Sequence, residues 1–123
     1  MKKHGTGFLA LVDAAKAQIQ QCEAAEIAAK VKAGAALTLV DVREESEFAA
    51  GHIAGAVHLG KGIIERDVEA CFPDVQAQLI LYCGGGYRSA LAAQALQQMG
   101  YQDVWSMAGG WRGWLAADGP VED

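Results

Sequence analysis

Chemistry concentrates in one short run, Cys83-Gly84-Gly85-Gly86-Tyr87-Arg88-Ser89. A lone cysteine after an apolar strand usually packs as a small hydrophobe. Three consecutive glycines argue otherwise, because they weaken local order and add nothing to a core. Their peptides can adopt φ > 0 and their N–H groups are not covered by side chains. The loop can therefore curl those N–H groups around one point as an anion cradle. A helix beginning near Ser89 would aim its free N–H groups and positive dipole end at the same point. A sulfur held there would be a thiolate. At an ordinary thiol pKa of about 8.5, roughly 3% is ionised at pH 7; lowering the pKa by two raises this to about three-quarters. That change corresponds to about 2.7 kcal/mol, within reach of several converging dipoles. Cys22 and Cys71 have no such setting and read as structural or merely exposed. Three widely spaced cysteines without a C-x-x-C imply neither a disulfide framework nor a zinc site, and no metal is expected.

The residues around the loop alternate between helix and strand patterns. Phe8, Leu11, Val12, Ala15 and Ile19 recur at helical spacing and predict an amphipathic helix over 8–18. A short strand over 19–22 and an Ala-rich helix over 23–31, stopped near Gly34, follow. Leu37 to Val40 is β-branched and apolar, as suits a strand buried on both faces. A short helix over 44–50, a strand over 56–59, the flexible Gly60-Lys61-Gly62 and a helix over 63–72 come next. Leu79 to Tyr82 is the strand that delivers Cys83. A helix over 89–99, a strand over 104–107 and a helix over 111–117 complete the chain. Five apolar strands alternating with helices predict a three-layer α/β domain with a mainly parallel sheet. Residues 1–18 are expected to be a helical extension and 19–123 the domain itself. Ligands of such sheets bind outside the carboxyl ends of the strands. That rule points to Asp41, to Gly60–Gly62, to Cys83–Arg88 and to Ala108–Gly110.

Composition excludes several function classes. The 123 residues are 52% hydrophobic and 20% charged, a globular balance for one domain. Twenty-four of them are alanine, so the core is built from small pieces. A net charge of −5 argues against a nucleic-acid-binding face, and no polybasic segment suits an anionic membrane surface. No apolar run approaches the roughly 20 residues of a membrane span. Met1-Lys2-Lys3 precedes the apolar Phe8–Val12, but Asp13 and Lys16 interrupt any secretory pattern. A cytoplasmic monomer is expected.

Several further residues gain a role from their positions. Asp41 ends an apolar strand, where an unpaired carboxylate would be costly. It is expected to pair with Arg43 or Arg88 and to shape the site without moving protons. Arg88 closes the loop, where its donors could clamp loop carbonyls, a carboxylate or substrate. His52 falls in a turn, His58 in a short strand and His4 near a frayed terminus, so none invites a catalytic role. Glu44, Glu45 and Glu47 read as a solvated helix face, and Trp105, Trp111 and Trp114 as packing residues.

Three segments together resemble rhodanese-like domains. They are Leu39-Val40-Asp41-Val42-Arg43 with Glu47-Phe48 and Gly51–Ala56, the Cys83–Ser89 loop, and Met107-Ala108-Gly109-Gly110-Trp111. The resemblance covers roughly residues 20–118 and implies sulfur transfer. Cys83 would take the outer sulfur of thiosulfate or of a persulfide donor, become a persulfide, and hand that sulfur to a thiol or to cyanide. Backbone N–H groups from Gly84, Gly85, Gly86, Tyr87, Arg88 and Ser89 would hold the charged sulfur, with no cofactor beyond the cysteine persulfide. A loop neutral up to Arg88 departs from relatives that carry basic residues there, so Lys61, together with Arg66, is expected to supply positive charge at the mouth. The alternative is a persulfide carrier or regulatory module whose donor or acceptor is a protein. The loop also resembles that of cysteine phosphatases and arsenate reductases, but those place five residues between cysteine and arginine. The four here, Gly84 to Tyr87, suit a single sulfur better than a phosphoryl group.

Overall fold

Side chains alternate along strand β5 (Gln78–Tyr82) into two separate cores. Leu79 and Leu81, followed by Cys83, enter one; Ile80 and Tyr82 enter the other. A strand buried on both faces needs parallel neighbours covered by helices, and the sequence supplies them. The computed structural model describes residues 4–123; Met1–Lys3, with the positive charge noted above, lie outside the described residues. Strands β1 (Gln20–Glu23), β2 (Leu39–Asp41), β4 (Val57–His58), β5 and β6 (Asp103–Ala108) form an all-parallel sheet in the order β1-β6-β5-β2-β4. Helices α4 (Ile64–Cys71) and α5 (Tyr87–Gln98) cover one face through Ile64, Val68, Ala92, Ala93 and Leu96. Helices α2 (Ala24–Lys32) and α6 (Gly110–Ala116) cover the other through Ala24, Ile27, Ala28 and Trp114. This is the expected three-layer α/β architecture. Among the described residues no helix is long and apolar enough to cross a membrane.

Helix α1 (Thr6–Lys16) is a further layer rather than part of either core. Val12 and Ala15 pack on Ala90 of α5, with Phe8, Tyr87 and Leu91 closing the contact. The small residues let the two helices approach closely, which is one use of so much alanine.

Two elements escape the sequence pattern. His52, read above as part of a turn, lies with Ile53 in strand β3 (His52–Ile53), which pairs antiparallel with β7 (Val121–Glu122). A two-residue ladder carries no periodicity, and its partner lies some 70 positions away. The His52 ring stacks on Phe48 at 3.7 Å between centroids, behind helix α3 (Glu45–Ala49), and its Nε2 is 3.3 Å from Glu122 Oε1. Strand β2 also starts at Leu39 rather than Leu37.

The carboxyl end of β2 is pinned by a buried ion pair. Asp41 and Arg43, two residues apart on extended chain, project to the same side. Arg43 donates through Nη2 at 2.8 Å and Nε at 3.1 Å to Asp41, whose Oδ1 also accepts the Arg43 backbone N–H at 2.9 Å. The same Nη2 donates to the Gly51 carbonyl at 2.7 Å, and the guanidinium lies over the Trp111 ring at 4.8 Å. Of the two partners expected for Asp41, the structure selects Arg43. Both side chains are nearly inaccessible, at 0% and 4% exposure, so removing one strands the other. Asp41→Ala should therefore lower unfolding stability by about 3–5 kcal/mol in urea titrations, whereas Asp41→Ala/Arg43→Met, which buries no lone charge, should lose less.

Candidate active site

Cys83 leaves β5 at the carboxyl edge of the sheet, and the next six residues turn back around its sulfur. Sγ accepts the Gly86 N–H at 3.1 Å and the Ser89 N–H at 3.4 Å. Gly86 does this at φ +100°, a left-handed conformation suited to glycine, with the backbone of Ala108 and Gly109 close by. Ser89 Oγ lies 3.6 Å from Sγ and 2.8 Å from Ser106 Oγ, so its hydroxyl can donate to a sulfur anion while accepting from Ser106. Tyr87 and Arg88 open α5, whose first turn thus completes the cradle.

The loop is held from outside by the turn that starts α6. Trp111 N–H donates to the Cys83 carbonyl at 2.7 Å and Arg112 N–H to the Gly84 carbonyl at 3.2 Å. A trans peptide sends its C=O and N–H in opposite directions. Fixing these two carbonyls toward α6 therefore turns the N–H groups of Gly84 and Gly85 away from it, toward the interior of the loop. Gly110 makes the approach possible: a side chain there would strike the Cys83 carbonyl.

Burial alone pushes the Cys83 thiol up, since the residue is 1% exposed. The Ser89, Gly85 and Gly86 N–H groups and the Ser89 hydroxyl outweigh that cost, and the pKa lies below its ordinary value. Cys22 shows the contrast. Without converging donors, burial and the neighbouring Glu26 push its thiol up to about 11.

Arg88 forms a bidentate pair with Glu47, at 2.8 and 3.1 Å. Glu47, read above as part of a solvated face, is instead half-buried and also accepts the Glu44 N–H at 2.9 Å. The Arg88 bond lowers its pKa to about 2. The pair is complete above the ordinary glutamate value of 4.5 and fades as pH falls toward 2. Asp41 and Arg43 underlie the site from the neighbouring strand, as described above.

Cys83 stands at the base of a cleft of about 1080 Å³ lined by His4, Phe8, Glu44, Glu47, Tyr87, Arg88 and Arg112. Lys61 and Arg66 do not line it. Lys61 is exposed, with its backbone N–H bonded to Val42, and Arg66 pairs with its neighbour Asp67 at 2.6 Å. The positive charge expected of them at the mouth comes from Arg112. His4 is no frayed end: its ring meets Tyr87 edge-on at 4.8 Å and Phe8 at 5.2 Å.

Comparison with known proteins gives the family and the fold. Residues 23–117 match the family model of the rhodanese-like domain. The chain belongs to the rhodanese-like family. The thiosulfate sulfurtransferase GlpE of Haemophilus influenzae is 36% identical over 84 residues, which cover 68% of this chain and 78% of that protein. The corresponding Coxiella burnetii GlpE is 31% identical over 99 residues, covering 80% and 87%. Among solved structures, the rhodanese-like domain of an Anabaena protein superposes with a TM-score of 0.76 at 27% identity, covering 83% of this chain and 77% of that one. A Rhodopseudomonas palustris protein, described as of unknown function and a possible tyrosine phosphatase, reaches 0.87 at 32% identity over 99% of both chains.

Within this rhodanese-like domain, two cleft residues had signals too faint to separate from packing. Arg112 lies two positions beyond the Gly109-Gly110 turn that the sheet-edge rule singles out, on a helix read only for its tryptophans. Phe8 belongs to the apolar stripe of α1 and is indistinguishable by spacing from residues that only pack.

A thiolate cradle predicts its own titration. In a Cys71→Ser background, alkylation of Cys83 by iodoacetamide, followed by intact mass, should lose rate as pH falls through a midpoint below the ordinary thiol value. Ser89→Ala removes one donor and should raise that midpoint by about 0.5–1 pH unit. A midpoint unchanged in the variant would show that the hydroxyl does not stabilise the anion.

Proposed function

We propose that the protein is a sulfurtransferase working through a persulfide on Cys83. The observation that carries this reading is the sulfur itself, sunk under the N–H groups of Gly86 and Ser89 in a four-residue loop. The Cys83 thiolate attacks the outer sulfur of thiosulfate; a new S–S bond forms, the old one breaks, and sulfite departs with its electron pair. Cyanide or a thiolate then attacks the outer sulfur of the persulfide and takes it as thiocyanate or as a new persulfide, returning the Cys83 thiolate. The cradle serves both halves, because the same donors that stabilise the attacking thiolate stabilise it again as leaving group. Donors that lower the Cys83 pKa reduce the need for a general base, consistent with the engagement of Asp41 by Arg43. The GlpE relatives support the donor class by name. The phosphatase description attached to one structural neighbour finds less support here, since four residues between cysteine and arginine close around one atom.

Intact mass after brief exposure to thiosulfate tests this directly. Wild type should gain one sulfur, about 32 Da, and lose it on adding cyanide, while Cys83→Ser should gain nothing. Cyanide-dependent thiocyanate release should vanish in the same variant, and an aryl phosphate should not be hydrolysed. Failure of thiosulfate to load the wild type, with loading from a protein persulfide, would make the chain a carrier of protein-delivered sulfur. Failure of both donors would end the sulfurtransferase reading.

A further inference from the structure

The cleft above Cys83 is built for more than one sulfur anion. Its volume of about 1080 Å³ slightly exceeds that of pockets that take organic ligands, roughly 300–1,000 Å³, so it has room for an organic body. One wall is aromatic: His4, Phe8 and Tyr87 meet edge-on or tilted, with Phe8 and Tyr87 centroids 6.2 Å apart. Two of those three rings come from the N-terminal segment ahead of the matched residues 23–117. The other wall carries Arg112. Its guanidinium lies over the loop at Gly84 and Gly85.

The two arginines of the cleft are in different states. Arg88 is committed to Glu47 through both its terminal nitrogens. Arg112 is exposed, and among the described residues its side chain forms no ion pair and no hydrogen bond. A planar guanidinium with its donors unengaged matches a carboxylate fork to fork. Glu44 and Glu47 line the same cleft and oppose a second negative charge on the ligand. The ligand that satisfies all of this carries one carboxylate and an organic body that can lie against the rings.

We propose that Arg112 is a specificity-determining residue that binds the carboxylate of a small organic thiol or persulfide, the sulfur of which then faces Cys83. This deepens the sulfurtransferase reading and rests on it for the identity of the reaction, but not for the existence of the subsite.

The test is arranged so that the two can fail separately. Iodoacetate and iodoacetamide share a reactive carbon and nearly a shape, and differ in the carboxylate. Their Cys83 alkylation rates are measured by intact mass at pH 7 in the Cys71→Ser protein, with and without Arg112→Gln. Taking the ratio cancels any change in thiolate content common to both reagents. The ratio of iodoacetate to iodoacetamide should fall about five- to tenfold in Arg112→Gln and by less in Arg112→Lys, which keeps the charge without the fork. The persulfide-loaded protein should likewise transfer sulfur to 3-mercaptopropionate faster than to its amide, and Arg112→Gln should abolish the preference. An alkylation ratio in Arg112→Gln within about twofold of wild type would overturn the proposal. If no donor loads Cys83, the sulfurtransferase reading fails while the alkylation ratio still decides whether Arg112 selects a carboxylate.

Discussion

The site depends on the direction in which two peptide groups face. Trp111 N–H on the Cys83 carbonyl and Arg112 N–H on the Gly84 carbonyl fix those planes from the side of α6. Because a peptide is rigid, fixing the carbonyl end fixes the amide end, and the Gly84 and Gly85 N–H groups are turned away from α6. The anion cradle is thus not a property of the glycine loop alone. Its first two peptides are braced by a turn some 25 residues later in sequence, which can come close enough only because position 110 lacks a side chain. The Gly109-Gly110-Trp111 motif and the Cys83 loop are two halves of one device.

Beneath that device the sheet supplies stiffness. Asp41 and Arg43 tie the end of β2 to the Gly51 turn and to the face of Trp111, the residue whose N–H holds the Cys83 carbonyl. Packing and hydrogen bonding are therefore coupled through one aromatic side chain. Such preorganisation matters for a thiolate, since donors already in place need not reorient when charge appears on the sulfur. It also explains how an acidic protein can hold an anion: the stabilisation is delivered by local dipoles at hydrogen-bond range, where net charge counts for little.

Most of the framework was legible because apolar runs flanked by helical periodicity leave few alternatives to a parallel α/β sheet. The sulfur cradle was legible for a different reason, since three glycines after a buried strand have no packing explanation. What escaped was whatever depended on partners distant in sequence. The β3–β7 ladder is two residues long and joins the turn at His52 to the far end of the chain. Glu47 sits among acidic neighbours that look alike in sequence, and only the fold brings Arg88 to it and not to Glu45. Lys61 follows a strand at the carboxyl edge of the sheet, but an edge is wider than a site, and the cations that line the cleft, Arg88 and Arg112, lie on α5 and α6. Pattern identifies the layer an element occupies; it does not identify which side chain wins the contact.

The attachment of α1 has a consequence for how such a molecule can diversify. Its contact with the rest of the protein runs through Val12 and Ala15 against Ala90, while the same segment presents His4 and Phe8 at the rim of the cleft. The groups that hold the sulfur all come from other elements. Part of the rim is thereby carried by a separately replaceable piece: His4 and Phe8 can be rewritten, to admit a new ligand, without changing a residue that donates to the sulfur.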